Sequence, residues 1–478
     1  MLFNSFEFLI FLPIAFLLYW FLFNKNITTR NIYLLLLSYT FYGWWDWRFL
    51  FLIFFSSLID FIIGNHISGS SSSNRRKYLL WLSLFMNLGT LGVLKYFNFF
   101  SRSFSESMES IGVVLDPFTL NVVLPVGISF YTFQTLSYTI DIYRKNLEPA
   151  KNAVSFFTYV SFFPQLVAGP IERAVNLLPQ FYTKKTFHYE QALNGLRLIL
   201  WGLFKKMVLA DNAAVYVNYV FGNYSEASGL ELILGAVMFA FQIYGDFSGY
   251  SDIAIGVGKL FGFDLMINFK TPYFSRDIAE FWRRWHISLS TWFRDYLYIP
   301  LGGSSTVKSK VIRNVFIIFI VSGFWHGANW TFIIWGVLNA VFFLPLLLGS
   351  KNRKNIDVVA SGKMLPTLTE AFNIFLTFGL TCFAWIFFRA ESVSHALGYI
   401  SGIFTHSFLS INSSFKHYYI IIILFWLAVE WNTRVNGFSD MLSQINSKII
   451  RRSIYLMIIF FIGLFGVFNK TEFIYFQF

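Results

Sequence analysis

Cysteine is all but missing: Cys382 is the single example in 478 residues. A lone thiol forms no internal disulfide, and no Cys/His spacing suggests zinc, so a disulfide scaffold is excluded and no metal is expected. Charge is scarce as well. Asp, Glu, Lys and Arg make up 13% of the chain, about half of the roughly 25% in an average soluble domain. The chain instead is 56% hydrophobic and 21% aromatic, with 62 phenylalanines and a mean hydropathy of +0.56. Long apolar runs recur from end to end, each broken by a short polar cluster, the pattern of a chain whose solvent is mostly lipid. Soluble enzyme, secreted scaffold and disordered chain are excluded, leaving an all-α polytopic membrane protein. The net charge of +12 fits cytoplasmic loops, where Lys and Arg collect, and no nucleic-acid partner is expected.

A span needs roughly 20 apolar residues. The candidate segments are Leu2–Phe23, Ile32–Tyr42, Phe49–Ile63, Tyr78–Phe100, Val122–Ile140, Ala153–Ala168, Leu193–Leu209 and Leu230–Gly249. Beyond a polar stretch follow Val311–Trp325, Trp330–Leu348, Phe372–Phe388, Tyr418–Val429 and Ile454–Phe468. Several are too short to cross alone and read as re-entrant or paired. The first lacks a positive n-region and a small-residue cleavage site, so it reads as a span and not a signal peptide. Basic clusters at Arg75–Lys77, Arg144 to Lys151, Lys308 to Arg313, Lys351 to Lys354 and Arg434 to Arg452 mark the cytoplasmic face. The acidic loops Ser101–Leu120 and Gly222–Glu231 mark the outer one. The last span follows Arg452, so the tail Asn469–Phe478 is expected on the outer, extracytoplasmic face.

Lys270–Ser305 departs from this hydropathy. Ile278, Phe281, Trp282, Trp285, Leu289, Trp292, Phe293 and Tyr296 fall at helical spacing on an arc of about 120°. Glu280, Arg283, Arg284, Arg294 and Asp295 lie off the arc, and His286 sits at its edge. The spacing predicts one amphipathic interfacial helix.

Ser322-Gly-Phe-Trp-His326-Gly-Ala-Asn-Trp330 joins two apolar runs. The first, Val311–Trp325, would rise only about 22 Å as a helix, less than the roughly 30 Å of a hydrocarbon core. The turn bearing His326 and Asn329 is therefore expected at membrane depth, where irregular backbone needs protein or a water-filled cavity around it and an ionisable group is a functional candidate. A neutral imidazole can act there as a general base; a structural histidine bonded to a carbonyl is the plainer alternative. His286, on the border of an amphipathic face, is a functional candidate or, more plainly, a residue that snorkels or caps. Asp246 and Asp252, near the inner end of a span, are candidates to wall a cavity, to pair with nearby arginines or to bind a cation, with arginine pairing the plainer account. Phe162–Glu172, with Pro164 and Pro170, reads as a re-entrant hairpin. The end Phe473-Ile-Tyr-Phe-Gln-Phe478 is an interfacial anchor or carries a reactive hydroxyl at Tyr475.

These strings together resemble the membrane-bound O-acyltransferases, in their bacterial alginate O-acetyltransferase-like branch. Phe281-Trp-Arg-Arg-Trp-His286 through Gly303 is similar to the family signature, and Phe324-Trp-His-Gly-Ala-Asn-Trp330 to its second histidine motif. Leu124–Gln134, Phe163–Pro170, Gly202–Lys206 and Asp246–Asp252 extend the likeness over most of the chain. The resemblance implies a single domain over 1–478: N-terminal helices to 120, a catalytic core at 121–350, C-terminal helices at 351–468 and the tail. It implies a ring of about 11 tilted transmembrane helices, with re-entrant and interfacial helices, around a central tunnel in a cytoplasmic (inner) membrane. His326 and His286 would be catalytic, Tyr475 a candidate acyl carrier, and Asn329, Trp325, Trp285, Asp246, Asp252 and Gln134 candidates to line the tunnel. No permanent cofactor is implied; the donor would be acetyl-CoA or a similar thioester. The partners would be membrane lipid, an extracytoplasmic esterase-like acyltransferase and, through it, an envelope polysaccharide such as alginate or peptidoglycan. The other readings are an ion-coupled transporter or flippase using His326, Asp246 and Asp252, a non-catalytic assembly subunit, and D-alanyl transfer to teichoic acid.

Overall fold

The computed structural model describes residues 1–407, 416, 418–468 and 473–474, and among these there is helix but no strand. Lipid offers backbone groups no partners, so each apolar run closes its own hydrogen bonds as a helix. Among the described residues, six helices are long and apolar enough to cross a membrane: Phe6–Phe23, Phe49–Gly69, Ser73–Glu109, Gly229–Leu260, Trp330–Leu348 and Leu368–Arg389. A seventh candidate is the pair Tyr418–Thr433 and Phe438–Gln444, bent by 75°. The multi-pass all-helical expectation holds.

Two segment boundaries need correction. The helix from Ser73 runs on through Glu109, so Glu106 and Glu109 lie on helix and not in a loop. The run expected to end at Gly249 continues to Leu260 as one helix of 32 residues. Asp246 and Asp252 therefore sit in its interior instead of near its end.

The chain forms two compact units, Met1–Ala192 with Val257–Met266, and Leu193–Gly256 with Ile267–Phe478. In the first, polar side chains cap the helix starts, as where Asn26 Oδ1 accepts from Thr29 N–H at 2.8 Å. Gly64 lets the helix Phe49–Gly69 pack on Ile128–Tyr143, since a Cβ there would meet the Tyr138 ring at 2.6 Å. Beside that contact the buried Asp60 carboxylate accepts from Ser83 Oγ at 2.6 Å and Asn87 Nδ2 at 2.8 Å. Gln134, a tunnel-lining candidate, is buried in this unit, where its carbonyl accepts from the Tyr159 hydroxyl at 3.2 Å. The proline segment Phe162–Glu172 is buried and broken, with short helices Ala153–Ser161 and Phe163–Leu166 meeting at Phe162.

In the second unit the later part of the helix Tyr189–Leu203, from Leu193 on, widens into a π-helix, Phe204–Ala210. Gly202 and Gly249 face each other, and a Cβ on Gly202 would stand 2.5 Å from the Gly249 carbonyl. This close approach brings the π-turn against the middle of Gly229–Leu260. A second hairpin, Lys308–His326 with Trp330–Leu348, closes in the same way, with Gly323 against the Phe332 carbonyl and Gly336 against that of Phe319.

Candidate active site

His326 is the last residue of its helix, and Gly327 leaves it in an extended conformation. Two residues later Asn329 caps the next helix, its Oδ1 accepting from Thr331 N–H at 3.0 Å. Its Nδ2 donates to the Glu391 carbonyl at 2.8 Å, which ties the turn to the end of Leu368–Arg389. Both ends of the Asn329 amide are thus committed to holding the turn. The His326 ring is 4% exposed. It meets Trp335 and Phe388 edge-on, each at 5.2 Å, and Trp325 at 4.9 Å.

The single amphipathic helix expected around His286 is two. Ile278–Arg284 ends at Trp285, and Ile287–Phe293 begins after it. His286 lies in the break with φ +42° and ψ +56°. A left-handed backbone costs a residue with a Cβ about 1–2 kcal/mol, so neighbouring bonds must enforce it. Lys270 N–H donates to the Arg284 carbonyl at 3.0 Å and Ile287 N–H to that of Asn268 at 2.9 Å. Asn268 in turn accepts from Ser288 Oγ at 2.6 Å and donates to Ser251 Oγ at 3.0 Å. A helical wheel cannot foresee this clip, because Asn268 and Lys270 precede the helical stretch Ile278–Tyr296 that the wheel describes.

The break moves His286 from the edge of an interface to full burial. Its ring packs edge-on against Phe247 at 4.6 Å and lies 6.1 Å from Trp325. Neither ring nitrogen has a hydrogen-bond partner among the described residues. Burial pushes the imidazole well below its ordinary pKa, down to about 3, so it is neutral at physiological pH. Trp325 therefore stands between the two imidazoles, in contact with both. Trp285 completes the aromatic surround, packing on Phe269 at 5.0 Å and Trp385 at 5.1 Å, and Trp385 stacks on Trp335 at 5.7 Å.

The off-arc residues also need correction. Glu280, expected on a polar face, is 1% exposed. Arg284 NH2 lies 2.8 Å from its Oε1 and Arg276 Nε 3.1 Å from its Oε2. Arg276 reaches on to Asp357 at 2.9 Å and Glu370 at 3.2 Å. This network, with Arg283 donating to the Asn352 and Asn355 carbonyls, fastens the short helix that carries Trp285. Arg294 and Asp295 form a more exposed pair at 2.7 Å.

Asp246 and Asp252 are ion-paired, with lysines. Lys205 Nζ lies 2.7 Å from Asp252, and Lys206 Nζ lies 2.8 Å from Asp246 and 2.9 Å from Asp211. Both lysines lie in the π-turn, and as adjacent residues on a helix they point in different directions, each to its own carboxylate. Sequence reading named the Gly202–Lys206 string without assigning these partners. Tyr475 lies outside the described residues, but its neighbours Phe473 and Ile474 are buried against Asp246, Phe247 and Tyr250.

The arrangement is that of two buried imidazoles in an aromatic enclosure, a setting in which a neutral imidazole can accept a proton. Residues 150–388 match the family model described as MBOAT, membrane-bound O-acyltransferase family. A probable alginate O-acetylase, AlgI, of Pseudomonas syringae pv. tomato is 39% identical over 84% of this chain and 74% of its own. A peptidoglycan O-acetyltransferase of Helicobacter pylori is 36% identical over 82% of this chain and 77% of its own. A teichoic acid D-alanyltransferase of Streptococcus thermophilus is 30% identical over 61% of this chain and 75% of its own.

Proposed function

Because the chain belongs to the membrane-bound O-acyltransferase family and is an O-acyltransferase, we propose that it moves an acetyl group across the membrane for O-acetylation of an extracytoplasmic polysaccharide. The donor in this reading is a cytoplasmic thioester, acetyl-CoA or a close analogue. Two buried imidazoles sharing the Trp325 indole carry the proposal. His326 takes the proton of an attacking hydroxyl as its oxygen bonds to the thioester carbonyl carbon. The C–S bond then breaks, and the thiolate leaves with the proton that the imidazole had taken. His286, lacking a proton acceptor or donor among the described residues, is left to face the reacting group. Tyr475 is the hydroxyl in this scheme; an esterase-like extracytoplasmic partner passes the acetyl group on to the polymer.

Acetyl is favoured over D-alanyl because relatives named as O-acetylases are more similar than those named as D-alanyltransferases. The ring of about 11 helices around a tunnel, in the cytoplasmic membrane with the tail outside, belongs to the same proposal. The test is transfer of labelled acetyl from acetyl-CoA to protein and polymer in membranes. His326→Ala should lose at least a hundredfold in rate with its melting temperature kept. Tyr475→Phe should accumulate no labelled protein. Normal polymer acetylation by the His326 variant would refute the catalytic reading and leave an assembly role; ion-coupled uptake without acyl transfer would favour a transporter.

A further inference from the structure

The tail meets the protein at two points on one short stretch. Where the last helix, Lys448–Phe465, ends, Val467 N–H donates to the Met207 carbonyl of the π-helix at 3.1 Å. Further on, Ile474 N–H donates to Asp246 Oδ2 at 2.7 Å. The other oxygen of that carboxylate is held by Lys206, the residue before Met207, and Lys206 is held in turn by Asp211. Phe473 and Ile474 are 1% and 2% exposed. The Phe473 ring lies 5.0 Å from Tyr250 and 5.8 Å from Phe247, and Phe247 is the ring that packs on His286. An interfacial anchor would place these side chains at headgroup depth; instead a main-chain N–H reaches a buried carboxylate.

Asp246 is therefore more than the ion-pair partner of Lys206. The lysine neutralises its charge and fixes its rotamer, leaving Oδ2 to receive a backbone donor, which recognises a peptide main chain whatever its side chains. We propose that the Asp246–Lys206 pair is a docking site for the chain's own C-terminal peptide, gripping the main chain at Ile474 and so setting the register in which the tail is held. Asp246 is a positioning residue in this account, touching the tail and not the reacting atoms. Its consequence for transfer rests on the reading of Tyr475, next in the sequence, as the acyl carrier.

Two double variants isolate the docking bond. Asp246→Asn with Lys206→Met keeps an acceptor oxygen without the ion pair. Asp246→Leu with Lys206→Met removes the acceptor at the same charge and nearly the same volume. Each is made in a Cys382→Ala, Ile474→Cys background, where the reporter thiol leaves the main-chain donor in place, and labelled with a maleimide in membranes. Labelling of the reporter thiol should be at least tenfold faster in the leucine variant than in the asparagine variant, with melting temperatures within a few degrees of each other. With Ile474 restored, acetyl transfer should fall at least tenfold in the leucine variant relative to the asparagine one. Equal labelling in the two overturns the dock. Faster labelling with equal transfer overturns the positioning role. A fully active Tyr475→Phe single variant would sink the carrier reading while leaving the labelling difference intact.

Discussion

Alanine at Gly323 tests whether the hairpin of Lys308–His326 and Trp330–Leu348 positions the base. A Cβ at this glycine falls inside the contact distance of the Phe332 carbonyl, and Gly336 meets Phe319 in the same way from the other side. Backbone carbonyls cannot rotate aside, so the helices must separate by about 1 Å to restore ordinary packing, an overpacking cost of about 1–3 kcal/mol. Alanine also improves helix propensity by about 1 kcal/mol, so the net loss is about 0–2 kcal/mol. The larger consequence is catalytic, because His326 follows one turn later on the same helix. A base displaced by about 1 Å loses on the order of a hundredfold in rate. Gly379 is the control: on the helix Leu368–Arg389 a Cβ would meet nothing within 4 Å. Gly379→Ala should gain about 0.5–1 kcal/mol from propensity and the stiffer unfolded chain, with transfer unchanged. Both are read by thermal melting in detergent and by labelled acetyl transfer in membranes. A Gly323→Ala protein as stable and active as the parent would show that the close crossing does not set the position of His326.

Two further perturbations probe the site's surroundings. Glu280→Ala leaves Arg276 and Arg284 without their shared buried carboxylate and should cost about 3–5 kcal/mol, whereas Asp357→Asn, at a side chain 63% exposed, should cost less than about 1 kcal/mol; equal losses on denaturation would refute the central place of Glu280. Protonation supplies the other test. His286 is held neutral down to about pH 3, against an unfolded value near 6.5. Below 6.5 the unfolded chain therefore binds a proton that the folded one refuses. Its contribution to stability is complete above pH 6.5 and is lost as pH falls toward 3, by about 1.4 kcal/mol per unit. His286→Gln should lessen the drop in stability between pH 7.5 and 5 by about 2 kcal/mol, and an unchanged pH slope would contradict the burial of that ring.

The legible part of the site was its membership. His326, His286, Trp325 and Trp285 are local in two strings, and their resemblance to a family named them before any contact was known. Asp246 and Asp252 were legible as paired carboxylates, but not their lysine partners. Which of two adjacent lysines faces which carboxylate depends on how two helices meet at Gly202 and Gly249, and hydropathy does not encode that meeting. The helix wheel placed His286 at an edge and Glu280 on a polar face, and both are buried. The wheel assumes an unbroken helix, whereas Asn268 and Lys270 break this one through main-chain bonds.

Lipid as solvent settles from sequence alone that this chain is helical and crosses a membrane several times, since apolar runs of that length admit no other way to satisfy their backbone. It also settles which strings carry ionisable groups among apolar ones. Packing decided the rest. It set the left-handed turn at His286, the indole between two imidazoles, and the tail's amide at Asp246. Each of these depends on residues far apart in the chain meeting at van der Waals distance, and local periodicity does not encode such meetings.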